Sequence, residues 1–242
     1  MYLILIIFVF TNCEKDEGII GYDKIEIEPY ILDNYHKDAL QIYFDEITQD
    51  SNHPNYNNPI LDETEITKIL KIIQAVYNSN SSERDTVFEI YQIHRDNCHD
   101  FNGIVLQVLT ETPEIVNLIN NVFPTGDSSL DNILSTYNFN SVNTLYYSYP
   151  SFPFFILYTK DTYNMIPVEN EFAEIESIQL AESHKNVDCF GFGDYIALKR
   201  SGNFVLITFT IGRGDCPSGC TYYKHWEFKV SNGNARFIRS YK

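Results

Sequence analysis

The sequence predicts an α+β protein in three parts: a helical N-terminal segment, a β-α-β-β-α-β middle and a C-terminal antiparallel β-meander. Three observations predict it. Apolar residues recur at helical spacing through the first hundred residues. Strand-length apolar runs then alternate with helical pieces between 101 and 188. From 194 onward, alternating strands are joined by short turns containing Gly and Asn. The composition is that of a folded chain, with 44% hydrophobic and 21% charged residues among 242.

The chain opens on an unbroken apolar run, Met1 to Phe10. It is too short for a bilayer span, which needs ~20 residues, but suits the apolar region of a signal peptide. Thr11, Asn12 and Cys13 follow, and then the charged run Glu14-Lys15-Asp16-Glu17. An apolar stretch ending in Cys ahead of a charged tether resembles the lipobox of bacterial lipoproteins, with Asn12 where Gly, Ala or Ser is usual. The resemblance implies a signal peptide over 1–12, cleavage before Cys13, acylation of that Cys, and a tether over 13–36. The acidic run resembles the export tag of Bacteroidetes lipoproteins. It implies a lipid-anchored protein of the cell outer membrane, facing the periplasm or exposed at the surface, with the membrane as partner through its lipid.

The N-terminal helical segment is expected over 37–100, with one strand. Leu40, Tyr43, Phe44 and Ile47 set a helix over 37–49, and Ser51 to Pro59 reads as a loop. Asp62 and Glu65 form a capping-box-like start to a helix running to Val76, with Ile66, Ile69, Leu70, Ile73 and Val76 on one face. Thr86 to His94 alternates as a strand would.

In the middle, 101–188, strands are expected at Gly103–Leu109, Val142–Ser148, Phe154–Thr159 and Ile178–Ala181. Helices are expected at Thr112–Phe123, Ser129–Tyr137 and Met165–Glu176. This order is the split-βαβ, or ferredoxin-like, arrangement. The stretch EFAEIESIQLAES (171–183) resembles the close of subtilisin propeptides and related protease-inhibitor domains. That resemblance implies that Ser183 to Asp188 is an extended segment suited to a protease cleft. The last part, 189–242, reads as four strands at 196–199, 204–211, 222–230 and 235–241, with hairpin turns at 201–203 and 231–234. The third connection, GRGDCPSGC (212–220), followed by TYYKHWEF, resembles the C-terminal portion of Bacteroidetes lipoproteins and secreted proteins; it implies export and no particular activity.

Without Cys13, four cysteines remain: Cys98, Cys189, Cys216 and Cys220. In an oxidising compartment an even number reads as two disulfides, with three pairings open. The tight Cys216–Cys220 segment suits a small ring, which leaves Cys98 with Cys189. A zinc site on Cys216, Cys220 and His225 is the metal alternative, but the spacing is wider than C-x2-C and no second ligand pair lies near. No cofactor is expected.

The formal net charge of −16 repels nucleic-acid phosphates, so nucleic acid is excluded as a partner through bulk electrostatics. No nucleophile elbow, His-Glu-x-x-His helix or phosphate-binding Gly loop occurs. His94, Cys98, His99 and Asp100 gather ligand-type side chains, yet a loop Cys in an exported protein reads as a disulfide. Arg213-Gly214-Asp215 spells an adhesion tripeptide and reads as a glycine-rich turn beside a disulfide. Asp85-Thr86-Val87 resembles a Bacteroidetes O-glycosylation acceptor. Asp45/Glu46 and Glu174/Glu176 read as solvated helix faces. Aromatics cluster at 146–155 and at Tyr222, Tyr223 and Trp226, the latter three being candidate ligand-binding residues. The expectation is a non-enzymatic binding module for a protein, peptide or glycan. A protease-inhibitor-like module and a hydrolase with dispersed carboxylates are the alternatives.

Overall fold

The computed structural model describes residues 21–95, 99–108, 112–145, 154–185, 193–216 and 219–242. The first long helix, α1 (Pro29–Thr48), starts at Pro29 and not at Lys37, so part of the expected tether is helical. Pro29 sits in the first turn, where its missing N–H costs nothing, and Ile31 and Tyr35 are fully buried, anchoring the early turns. Residues 38–44 are buried all round the helix, as expected when packing covers more than one face.

Helix α2 (Glu63–Tyr77) buries the anticipated stripe, and the Thr64 N–H donates to the Asp62 side chain at 2.8 Å to cap it. Glu65 turns instead to Lys68, at 2.8 Å. Residues 86–94 do not form the expected strand. Helix α3 (Ser82–Asp85) runs into a π-helical turn over Thr86–Ile90. Val87 and Phe88 are both buried, an arrangement a strand with one solvated face does not give to consecutive residues. Phe88 packs edge-on against Tyr35, Tyr77 and Phe209 at 5.3, 5.3 and 5.4 Å. Tertiary packing has overridden a period-2 pattern.

The middle of the chain forms strands β1 (His99–Val108), β2 (Phe139–Leu145), β3 (Phe154–Thr159) and β4 (Ile178–Lys185). They pair in the order β2-β3-β1-β4, each neighbour antiparallel. Helices α4 (Pro113–Ile119), α5 (Ser128–Thr136) and α6 (Met165–Ala173) supply Leu118, Leu130 and Phe172 to a core shared with Ile104, Leu106 and Phe155. β4 runs four residues past the expected Ala181. Ser183 lies opposite Ile104 and Lys185 opposite His99, so the start of the segment expected to be free is held in the sheet. Asn186 to Asp188 lie outside the described residues.

The second sheet is the anticipated meander, β5 (Tyr195–Ser201), β6 (Phe204–Arg213), β7 (Tyr222–Ser231) and β8 (Asn234–Tyr241), in sequential order. Asn232 and Gly233 take φ of 51° and 76°, the pair of positive values that a two-residue type I′ hairpin needs. Ile196, Ile207, Phe209, Trp226 and Phe228 point inward and join Tyr35, Ile66, Ile73 and Phe88 in one core. The N-terminal helices and the meander therefore bury each other, across the whole intervening β1–β4 unit.

Contacts at Phe101, His99 and Asn164 tie that unit to this core. Phe101 of β1 meets Phe44 of α1 edge-on at 5.3 Å. Asn164, fully buried at the start of α6, donates from Nδ2 to the carbonyls of Tyr56 and Asn58 at 2.9 and 3.1 Å, while its Oδ1 accepts the Ile166 N–H. Gly21 lies against the β7–β8 turn: a Cβ there would sit 2.8 Å from the backbone of Asn232 and Gly233, so only glycine fits. Among the described residues no helix is long and apolar enough to cross a membrane.

Candidate functional site: an open sheet face and a helix-edge cleft

A strand shows alternate side chains to opposite faces, so the inward face of the meander fixes what the outward face carries. Three rows cross all four strands on that outward face. Lys199, Leu206, Lys229 and Arg236 form one; Ala197, Thr208, Glu227 and Arg239 the next; Tyr195, Thr210, His225 and Tyr241 the third. The helices pack on the other face.

The third row is an aromatic strip. The His225 ring stacks on Tyr241 at 4.6 Å and on Tyr223 at 6.3 Å, and Tyr195 stands edge-on to it at 6.3 Å. Thr210, between Tyr195 and His225 in the row, is fully buried, and its hydroxyl lies 2.8 Å from His225 Nδ1. Burial lowers the His225 pKa below the ordinary histidine value, because the charged ring loses water. The guanidinium of Arg239 covers Tyr241 at 4.9 Å while bonding Glu227 at 3.2 Å, which fixes both sides of the strip.

The first row is cationic. Lys229 Nζ sits 3.9 Å above the ring of Phe204, and Lys199 and Arg236 are exposed. Arg84, Arg95, Arg200, Arg213 and Arg239 each bond a carboxylate, but Lys199, Lys229 and Arg236 have no acidic partner among the described residues. Residues 193–242 hold eight Lys and Arg against three Asp and Glu, although the whole chain carries −16. A cavity of about 360 Å³ opens beside this row, lined by Lys229, Ser231, Asn234, Ala235 and Arg236.

The second feature is a cleft of about 440 Å³ between α1 and the edge strand β5. Gln41, Asp45, Glu46, Arg95, His99 and Asp194 are among its lining residues. Its polar groups are closely knit. Arg95 bonds Asp45 and, at 3.1 Å, the Ile196 carbonyl, and its backbone N–H donates to buried Asp38. Asp38 also holds His94 Nδ1 at 2.9 Å. Gln41 donates to Asp45 at 3.0 Å. Arg200 grips Glu46 with two bonds of 3.0 Å, and Arg213 donates to Asp194 at 2.6 Å. Asp45 and Glu46 are therefore not the solvated pair the sequence suggested. Their partners arrive from 50 and 154 positions away, out of reach of any local pattern. Each carboxylate lining the cleft is bonded to an arginine.

The sequence-derived candidates divide between these features and the core. Trp226 is buried on the inward face, beside Tyr91 at 5.4 Å, because its register partner Phe209 points into the core. Tyr222 shares that side at the exposed end of β7, and Tyr223 alone of the three lies on the outward strip. Cys216 and Cys220 are joined in a disulfide, so their sulfurs are not a zinc pair. Cys13, Cys98 and Cys189 lie outside the described residues, as do Tyr146, Tyr147, Tyr149 and Phe152. Within the tripeptide 213–215, Arg213 is committed to Asp194, and Gly214 at φ 102° has no room for a side chain beside Thr221. His94 and His99 have different ring partners: His94 stacks on Tyr35 at 4.5 Å, and His99 leans on Phe44 at 4.8 Å. Glu174 and Glu176 are exposed, as expected. Among the described residues no group of three His, Cys, Asp or Glu side chains is placed to hold a metal ion.

Sequence reasoning missed Tyr195, His225 and Tyr241 as one strip, and also the cationic row. The available signal was the charge reversal of residues 193–242, read together with strand alternation. The chain matches no family model, no curated protein and no solved structure.

Proposed function

We propose that the protein is an exported, lipid-anchored binding module without catalytic activity, and that its ligand lies on the outward face of the C-terminal sheet. The observation that carries this reading is the row Tyr195–Thr210–His225–Tyr241, extended by Tyr223, on a sheet face opposite the one on which the described helices α1 and α2 pack. Aromatic rings held by stacking and hydrogen bonds offer large contact area at little ordering cost on binding. The arginine-bonded carboxylates of the cleft lend less support to a hydrolase. The pairing of Ser183 and Lys185 within the sheet does the same for an inhibitor.

The anchor in this reading is Cys13. The remaining thiols pair as Cys216–Cys220 and Cys98–Cys189. We also read the 101–188 unit as ferredoxin-like, a reading supported by the order β2-β3-β1-β4 with all neighbours antiparallel.

Two measurements test the function. Intact mass of the protein from its own host should show cleavage before Cys13, added acyl chains and the mass deficit of two disulfides. Recovery of the uncut, fully reduced polypeptide from cytosol would overturn the export reading. Screening the detergent-solubilised chain against peptide and glycan arrays should give ligands whose binding falls at least tenfold in Tyr223→Ala/Tyr241→Ala. Undiminished binding by that variant would remove the ligand from this face.

A further inference from the structure

We infer that the ligand of this face is an acidic oligosaccharide, one carrying carboxylate or sulfate groups. The inference rests on the binding reading above and adds the chemistry of the ligand. Two independent features on one surface argue for it. The cationic row of Lys199, Lys229 and Arg236 lies four residues along β7 from the aromatic strip, Lys229 against His225, which is ~14 Å at strand rise. That span fits a short sugar chain better than a single ring.

Charge supplies the second feature. In a protein with 33 acidic residues against 17 basic ones, five of the six arginines bond carboxylates, yet Arg236 does not, and it lies directly beside Lys229 on the neighbouring strand. Leaving like charges side by side on neighbouring strands is unfavourable unless an anion joins them. The cavity next to Lys229 and Arg236 adds the Ser231 hydroxyl and the Asn234 amide, groups that complete the hydrogen bonding of a carboxylate or sulfate. Glu227, the one acid within the three rows, is bonded by Arg239 at 3.2 and 3.4 Å and so does not repel the anion unscreened. The sugar rings would pack on the face of Tyr223 turned away from His225 and along the ring edges of His225 and Tyr241, while the acidic substituents meet Lys199, Lys229 and Arg236.

The test is calorimetric titration of the detergent-solubilised full chain with hexagalacturonate, a chondroitin sulfate hexasaccharide and neutral cellohexaose, with phosphatidylglycerol vesicles as a further arm. At least one acidic sugar should bind ten or more times more tightly than cellohexaose, and the preference should shrink as salt rises. Lys229→Gln/Arg236→Gln should lose most of that preference, whereas Tyr241→Ala should weaken every sugar alike. Both alterations lie at exposed or half-exposed positions, and circular dichroism checks that the fold is kept. Equal affinity for neutral and acidic sugars, or full retention of the preference in the double variant, overturns the inference. So does binding to the vesicles alone. If no sugar binds but a peptide does, with loss in Tyr223→Ala/Tyr241→Ala, this inference falls and the binding reading stands.

Discussion

Replacing Phe88 by Ala tests whether the first ninety residues and the last fifty are one folding unit. Phe88 is 1% exposed and touches rings from α1, α2 and β6. Emptying such a site removes buried apolar surface and leaves a cavity, which for Phe→Ala costs about 3–5 kcal/mol. The unfolding slope of a unit this size in urea is about 2 kcal/mol per M, so the midpoint should fall by about 2 M. Trp226, the only tryptophan, is buried in the meander and reports on that part of the core alone. Its fluorescence transition and the far-UV helical signal should therefore move together. A milder Phe88→Leu keeps most of the volume and should shift both by less than half as much. If helix signal is lost at lower urea while the Trp226 midpoint stays in place, the shared core is refuted.

Three further outcomes are expected. Asn164→Ala should cost about 1–3 kcal/mol by calorimetry, from a lost helix cap and two loop carbonyls that lose their donor. Asn164→Asp should cost more despite keeping the cap, since a carboxylate would face those carbonyls; a neutral result would remove the junction role. The pKa of His225 is lowered in the fold, so the unfolded chain takes up its proton first, and the stability His225 contributes above pH 6.5 is lost as pH falls through the folded value. Melting temperature should thus drop on acidification below 6.5, and His225→Gln should flatten that part of the profile; superimposable profiles would contradict the burial argument. Opening the Cys216–Cys220 ring in Cys216→Ser/Cys220→Ser should cost about 2 kcal/mol, the chain-entropy value for so short a loop, seen as a few degrees in Tm.

Local signals served well where one face of an element decides its form. The α2 stripe, the Asn232-Gly233 turn and the meander strands were all legible, because period and turn chemistry act over a few residues. The π-helical turn was not, since Phe88-Glu89-Ile90 and Tyr91-Gln92-Ile93 alternate apolar and polar as a strand would, and only the distant rings around Phe88 decide otherwise. The start of α1 was missed for a related reason: Ile31 and Tyr35 look sparse in sequence, but the meander and π-turn bury them. The site followed the same division. Tyr223 was legible as a candidate aromatic, with His225 two residues along the same strand, whereas Tyr195 and Tyr241 come from other strands and join the strip only through register.

The joining of α1 and α2 to strands made at the far end of the chain has a consequence for biogenesis. When α2 is complete, its apolar stripe has only α1 for cover until β6 emerges some 130 residues later, an interval of ~6–26 s at ribosomal rates of ~5–20 residues per second. During that time the β1–β4 unit is finished, while the two earlier helices still present bare isoleucines. A chain of this layout is expected to engage a holdase that favours aliphatic helix faces, and truncation before β6 should leave the first half a target for proteolysis.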